Sequence, residues 1–180
     1  TSKEDILAAS RDLIKENGWA AVSIRAVASR CSVSAGTIYN YYESKADLLS
    51  DTIESIWHEI FFHPEDEQIF HDVESCISWI YERLEYGNRQ FPGFFSLHSF
   101  GFMRDEKTSG KKRMMKTWGH ILNGLCEVLG NDPKVRADVF DQEFTEKKFA
   151  DILFSLILVS MIRQDYDPSS VLMLVKKTLY

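Results

Sequence analysis

The chain has 180 residues, 44% of them apolar and 13% aromatic, which excludes a disordered or fibrous polypeptide and is enough for a small head plus one further domain. Its formal charge of −6, from 27 acidic and 21 basic residues, excludes a protein that coats nucleic acid at large, so any contact with DNA has to be local. Three cysteines, Cys31, Cys76 and Cys126, lie far apart with no C-x-x-C pair, which reads as reduced buried thiols in a cytosolic protein rather than a disulfide or zinc framework.

Ser2-Lys3-Glu4-Asp5 has the form of a capping box, and Ile6, Ser10, Leu13, Ile14 and Asn17 trace a first helix that stops at Gly18. Ser23 is the N-cap of a second helix, in which Ile24, Val27, Ala28 and Cys31 form one apolar face and Arg25, Ser29 and Arg30 are left outward. Cys31-Ser32-Val33 breaks that rhythm. Ser34 then caps a third helix, expected from Ala35 to about Tyr42, with Val33 and Ile38 placed as a hydrophobic staple. Only Ile38 and Tyr42 share an inward face there, so Gly36, Thr37, Tyr39, Asn40 and Tyr41 must meet something outside the core. Small residues followed by hydroxyl, amide and phenol groups suit a helix that enters the major groove N-terminus first. No Asp or Glu occurs between Asn17 and Tyr42, while Arg25 and Arg30 do. Ser44 and Asp47 cap the next helix and set Lys45 beside its positive end, where a phosphate oxygen is favoured.

On ILAASRDLIKENGW, SIRAVASRCSVSAGTIYNYY and YESKADLL, the stretch from Ile6 to Leu49 resembles the DNA-binding domain of TetR-family transcriptional regulators. The resemblance implies that Thr37, Tyr39 and Tyr41 contact DNA backbone or base edges, Lys45 a phosphate, and Arg25 a base from the preceding helix. With the caps Ser23 and Ser34, with Gly36, and with Asn40, whose amide can pair bidentately with adenine, these are the candidate DNA-binding residues. Ser32 stands where the family often has Gly in the turn, and Asn40-Tyr41 replaces the family's common aromatic-His pair, so the operator sequence does not carry over.

Beyond the motif, Leu49, Ile53, Ile56, Trp57 and Ile60 predict one helix from Ser44 to about Phe62, with its foot in the DNA-binding domain and its top elsewhere. HPEDEQ, from His63, is a polar break. His58, Glu59, His63, Glu67 and His71 cluster nearby, but with no His pair at i, i+4 they read as an acidic solvated stretch rather than a metal site. A helix from about Glu67 to Glu85 follows, closed by Gly87-Asn88. The aromatic, glycine-punctuated segment from Phe91 to Phe102 reads mainly as a core layer. Its functional reading is a pocket wall, with Phe95, His98 and Phe102 as candidate ligand-binding residues beside Trp57, Trp79 and Trp118. A loop within 104–116 leads into a helix that runs to Gly130. Two strong helices, Thr145 to Gln164 and Pro168 to Leu179, close the chain around the hinge Asp165-Tyr166-Asp167. Their apolar arcs are too broad for a monomer, which gives Phe149, Leu153, Leu156, Ile157, Val171 and Val175 as candidate dimerisation residues; the resemblance implies a two-fold four-helix bundle there. The apolar run from Ile152 to Ile162 falls short of the roughly 20 residues a membrane helix needs, and the first residues have no signal-peptide pattern.

The expectation is an all-α protein of about nine helices, with a three-helix helix-turn-helix DNA-binding domain over 1–48 and a helical ligand-binding and dimerisation domain over 49–180. Its expected work is transcriptional control without a cofactor: a cytoplasmic homodimer on a pseudo-palindromic double-stranded DNA operator, released by a small apolar or aromatic effector, repression being the family's default. A helix-turn-helix protein controlled by a protein partner is the alternative. An enzyme is disfavoured, because there is no nucleophile elbow, phosphate-cradling Gly loop or carboxylate pair in an apolar setting.

Overall fold

The computed structural model describes residues 1–62, 70–95 and 109–180, with backbone alone at 109–115 and 117. The described residues are all-α: α1 (Lys3–Asn17), α2 (Ile24–Arg30), α3 (Ala35–Tyr39), α4 (Lys45–Phe61), α5 (Val73–Gln90), α6 (Ser109–Asn131), α7 (Glu146–Arg163) and α8 (Ser169–Leu179), with a short 3-10 turn at Trp19–Ala21. They fall into two compact units, Thr1–His63 with Tyr86–Met115, and Pro64–Glu85 with Lys116–Tyr180.

In the first unit the capping box of α1 is complete: the Asp5 amide donates to Ser2 Oγ (3.1 Å) and the Ser2 amide donates to Asp5 Oδ2 (2.7 Å). Gly18, at φ +78°, ends the helix. Ile6, Ile14, Val27, Ile38, Leu48, Ile56 and Ile60 form the core between α1, α2, α3 and α4. Ser44 accepts from the Asp47 amide (3.2 Å), although the Asp47 carboxylate takes the Ser44 hydroxyl (2.9 Å) rather than a backbone N–H. All of α4 lies in the first unit, which also holds Tyr86–Met115. Polar contacts tie it to α1 along its length. Lys3 pairs with Asp51 (2.5 Å), Arg11 donates to Ser55 (2.9 Å) and pairs with Glu59 (3.2 Å), and Lys15 pairs with Glu59 (2.7 Å).

Helix α5 begins at Val73, where the Ser75 amide donates to Asp72 Oδ1 (2.7 Å), and it does not stop at Gly87 but runs to Gln90. Gly87 is helical and buried, a point of close packing rather than a terminator. Helix α6 likewise starts at Ser109, inside the stretch read as a loop.

In the second unit Val73, Ile77, Leu125, Leu129, Leu153, Ile157, Val175 and Leu179 make the core. Thr145 caps α7 by accepting from the Lys148 amide (3.3 Å), Gln164 closes it at φ 53°, and Asp167 accepts from the Ser169 amide (2.9 Å) at the start of α8. Asp132, buried at 6% exposure, receives the amides of Val73 and Lys134 (both 2.9 Å) and the Tyr180 hydroxyl (2.5 Å), which fastens the start of α5 and the end of α8 to one carboxylate.

Candidate DNA interface

Ser23 Oγ accepts from the Ala26 amide (3.1 Å) and Ser34 Oγ from the Thr37 amide (3.2 Å), so both serines set helix starts; the Ser34 and Thr37 hydroxyls also share a hydrogen bond (3.1 Å). Between the two helices Ser32 sits at φ 55°, a left-handed conformation that glycine takes without strain. Helix α3 is shorter than expected, ending at Tyr39 with Asn40 as its C-cap. Ile38 and Tyr42 turn inward and are buried, whereas Gly36, Tyr39, Asn40 and Tyr41 are exposed and Thr37 is half-buried. A β-carbon built on Gly36 would meet only Ser34 Oγ, at 3.5 Å, an ordinary contact, so the chain itself does not require glycine there.

Arg25 and Lys45 are exposed and have no carboxylate partner among the described residues, while Arg30 is taken by Glu16 through its two terminal guanidinium nitrogens. That pairing holds the Glu16 carboxyl below its usual range and raises Arg30. The exposed positive groups beside α3 are therefore Arg25 and Lys45, the latter in the first turn of α4. The Tyr41 hydroxyl donates to the Thr1 carbonyl (2.5 Å), while the residue stays exposed.

Other candidate residues scatter. Trp57 and Phe95 are buried at 3% and 1% exposure with ring centroids 5.6 Å apart; with Phe94 and Phe61 they fill core in the first unit. Trp79 and Trp118 belong to the second unit, where Trp79 meets Phe70 (5.2 Å) and Trp118 meets Phe154 (5.7 Å). The Trp118 indole N–H is buried without an acceptor among the described residues. His98 and Phe102 lie outside the described residues, as do His63 and Glu67; Glu59 is occupied by Arg11 and Lys15.

Five of the six expected seam residues, Phe149, Leu153, Ile157, Val171 and Val175, are buried inside the chain's own second unit. In the single chain these side chains are turned away from solvent, as are Ile77 and Leu125 of the same unit. Leu156 is half-buried, and the side chains left outward are Ile152, Val159, Ile162, Met173 and Leu174, 38–58% exposed. The i, i+7 spacing of Ile152 and Val159 was a signal for this second face. Cys76 is buried, while Cys31 and Cys126 are half-exposed rather than buried. Burial pushes the Cys76 thiol up to about 12, away from thiolate chemistry.

Residues 6–52 match the family model described as bacterial regulatory proteins, tetR family. That match spans the helix-turn-helix part of the chain and the start of α4. Over 48 residues it is 38% identical to the HTH-type transcriptional regulator UidR of Escherichia coli strain K12; this stretch is 27% of the chain and 24% of UidR, so the chain spans about a quarter of that curated relative. Solved structures extend the likeness to the whole fold. FadR from Bacillus subtilis, in complex with stearoyl-CoA, superposes with a TM-score of 0.67 at 18% identity over 99% of this chain and all (100%) of FadR. A transcriptional regulator from Rhodococcus sp. Rha1 gives 0.67 and 18% over 94% and 86%, and Salmonella enterica GusR 0.61 and 18% over 98% and 94%. The TetR family is one of transcriptional regulators, not enzymes, and the turn at Ser32 explains why a TetR-type sequence can favour glycine there: the backbone is left-handed.

Proposed function

We propose that this chain is a ligand-responsive transcriptional regulator of the TetR family, in the family's default sense a repressor, that binds a pseudo-palindromic operator as a homodimer. The observation that carries the DNA part is the exposed face of α3, where Gly36 is open to close approach and Tyr39 and Asn40 project outward, flanked by the exposed cations Arg25 and Lys45. Small residues allow close contact with base edges, the amide and hydroxyl groups read them, and the cations take phosphates. Residues 1–48 would supply this reading head and 49–180 the effector and dimer surfaces, in the cytoplasm. The seam is the outward side of α7 and α8, Ile152, Val159, Ile162, Met173 and Leu174, with half-buried Leu156, because large apolar side chains left exposed on neighbouring elements mark interfaces.

The effector is a small, largely apolar molecule. Its support is the buried Trp118 N–H, which has no acceptor among the described residues and is a donor that a ligand's polar group would satisfy. Selection from a random pool of duplex DNA tests the reading: enrichment of a two-fold symmetric site with half-sites about 34 Å apart is expected. Recovery of no symmetric site would overturn it.

A further inference from the structure

The first turn of α1 is bound to the end of the recognition segment by contacts that adjoin one another. The Tyr41 hydroxyl donates to the Thr1 carbonyl (2.5 Å). Lys3 places its ammonium 5.5 Å from the centre of the Tyr42 ring and 2.5 Å from the carboxylate of Asp51, which is buried at 7% exposure. Cys31, at the end of α2, directs its thiol to the Asp5 carbonyl (3.8 Å). The amides of Tyr41 and Tyr42 both donate to the Ile38 carbonyl (3.0 and 3.1 Å), so the segment held by this clasp is continuous with the last turn of α3.

A phenol has one proton to donate. While Tyr41 gives it to Thr1, it has none for a phosphate oxygen, which is an acceptor only. We propose that Tyr41 and Lys3 are positioning residues: they fasten the amino-terminal turn to the end of α3 and thereby set the angle at which Tyr39 and Asn40 meet the groove. This rests on the DNA-binding reading above, but the clasp is a property of the free protein and is testable apart from it.

The test uses Tyr41→Phe in the full chain, which keeps the ring and removes only the donated bond. In the free protein, amide exchange at Tyr41 and Tyr42 is expected to accelerate by about two- to tenfold, the equivalent of one ordinary hydrogen bond. Affinity for a duplex selected with the wild-type chain falls by a similar factor. Probed with duplexes carrying one neutral methylphosphonate at successive positions, both proteins are weakened at the same positions, because no phosphate contact has gone. Loss of one sensitive position in Tyr41→Phe, with exchange unchanged, would show instead that Tyr41 contacts that phosphate directly and would overturn the proposal; so would unchanged exchange and affinity. A wild-type chain that selects no duplex sinks the DNA-binding reading, while the exchange comparison still decides whether the clasp exists.

Discussion

Gly87 of α5 lies against Ile60 of α4 so closely that a β-carbon built on it would come within 2.6 Å of Ile60 Cδ1 and 3.1 Å of Phe95 Cζ. Alanine in a helix interior gains about 1 kcal/mol over glycine, but overpacking a buried site costs about 1–3 kcal/mol, and both Ile60 and Phe95 are buried. Gly87→Ala is therefore expected to be net destabilising in urea unfolding. In an Ile60→Val background, which lacks the offending Cδ1, the same change should cost less. A Gly87→Ala protein that gains the full helix propensity in both backgrounds would show that the contact is not tight.

Gly36 makes the opposite case. Its β-carbon would meet nothing closer than 3.5 Å within the chain, so Gly36→Ala should raise stability, by at most about 1 kcal/mol, while lowering affinity for the selected duplex. Unchanged affinity would mean that DNA does not approach α3 closely there.

The pair Gly36 and Gly87 marks how far the sequence could be read. Caps, periodicity and the acid-free stretch located α1, α2, α4, α7 and α8 to within a residue or two, because Ser2, Ser23, Ser44 and Thr145 act locally on amides three residues ahead. Gly87 was read as a stop since a helical glycine is rare unless something packs against it, and the packing partner, Ile60, lies far away in sequence. The same limit applies at Tyr41, whose bond to Thr1 spans 40 residues. It also applies to the hairpin of α7 and α8, where two apolar arcs were visible but not which of them the chain's own core consumes.

Ser32, at φ 55°, is a direct probe of the turn. A left-handed non-glycine residue costs about 1–2 kcal/mol, part of which glycine gives back through the greater entropy of its unfolded state. Ser32→Gly should raise the melting temperature slightly and Ser32→Val should lower it, since a β-branched side chain tolerates that conformation poorly. The reverse order would contradict the turn geometry.

Acid stability should depend on Asp72. The Lys134 ammonium hydrogen-bonded to it (2.8 Å), with the Ser75 hydroxyl and amide, holds its carboxyl far below the usual carboxylate range. A depressed folded value means that the stability is complete above the unfolded value of about 4 and is lost as pH falls through the folded one. Asp72→Asn keeps an acceptor for Ser75 but no charge, so its unfolding free energy should fall less steeply below about pH 4 than that of the wild type. Asp5, Glu16, Asp141 and Asp167 are also lowered, so the acid limb is reduced rather than abolished. Parallel limbs would show that the Lys134 pair contributes nothing.

The seam can be separated from the core by where a charge is placed. Leu153 has 0% exposure, so Leu153→Glu buries an unpaired carboxylate within the chain's own core and should unfold it, which reports nothing about association. Ile162 and Met173 are 50% and 58% exposed, and a glutamate at either place remains in water while the chain is alone. In a two-fold assembly through the outward face of α7 and α8, the same carboxylate would be buried against apolar side chains, at a cost of several kcal/mol per site. Ile162→Glu and Met173→Glu should thus keep wild-type helicity as folded monomers, melt at a lower temperature by the lost association, sediment at half the mass, and lose most affinity for a two-half-site duplex while retaining weak binding to one half-site. If both variants sediment as dimers, another surface holds the two copies together, and the exposed apolar face of the hairpin has a different partner.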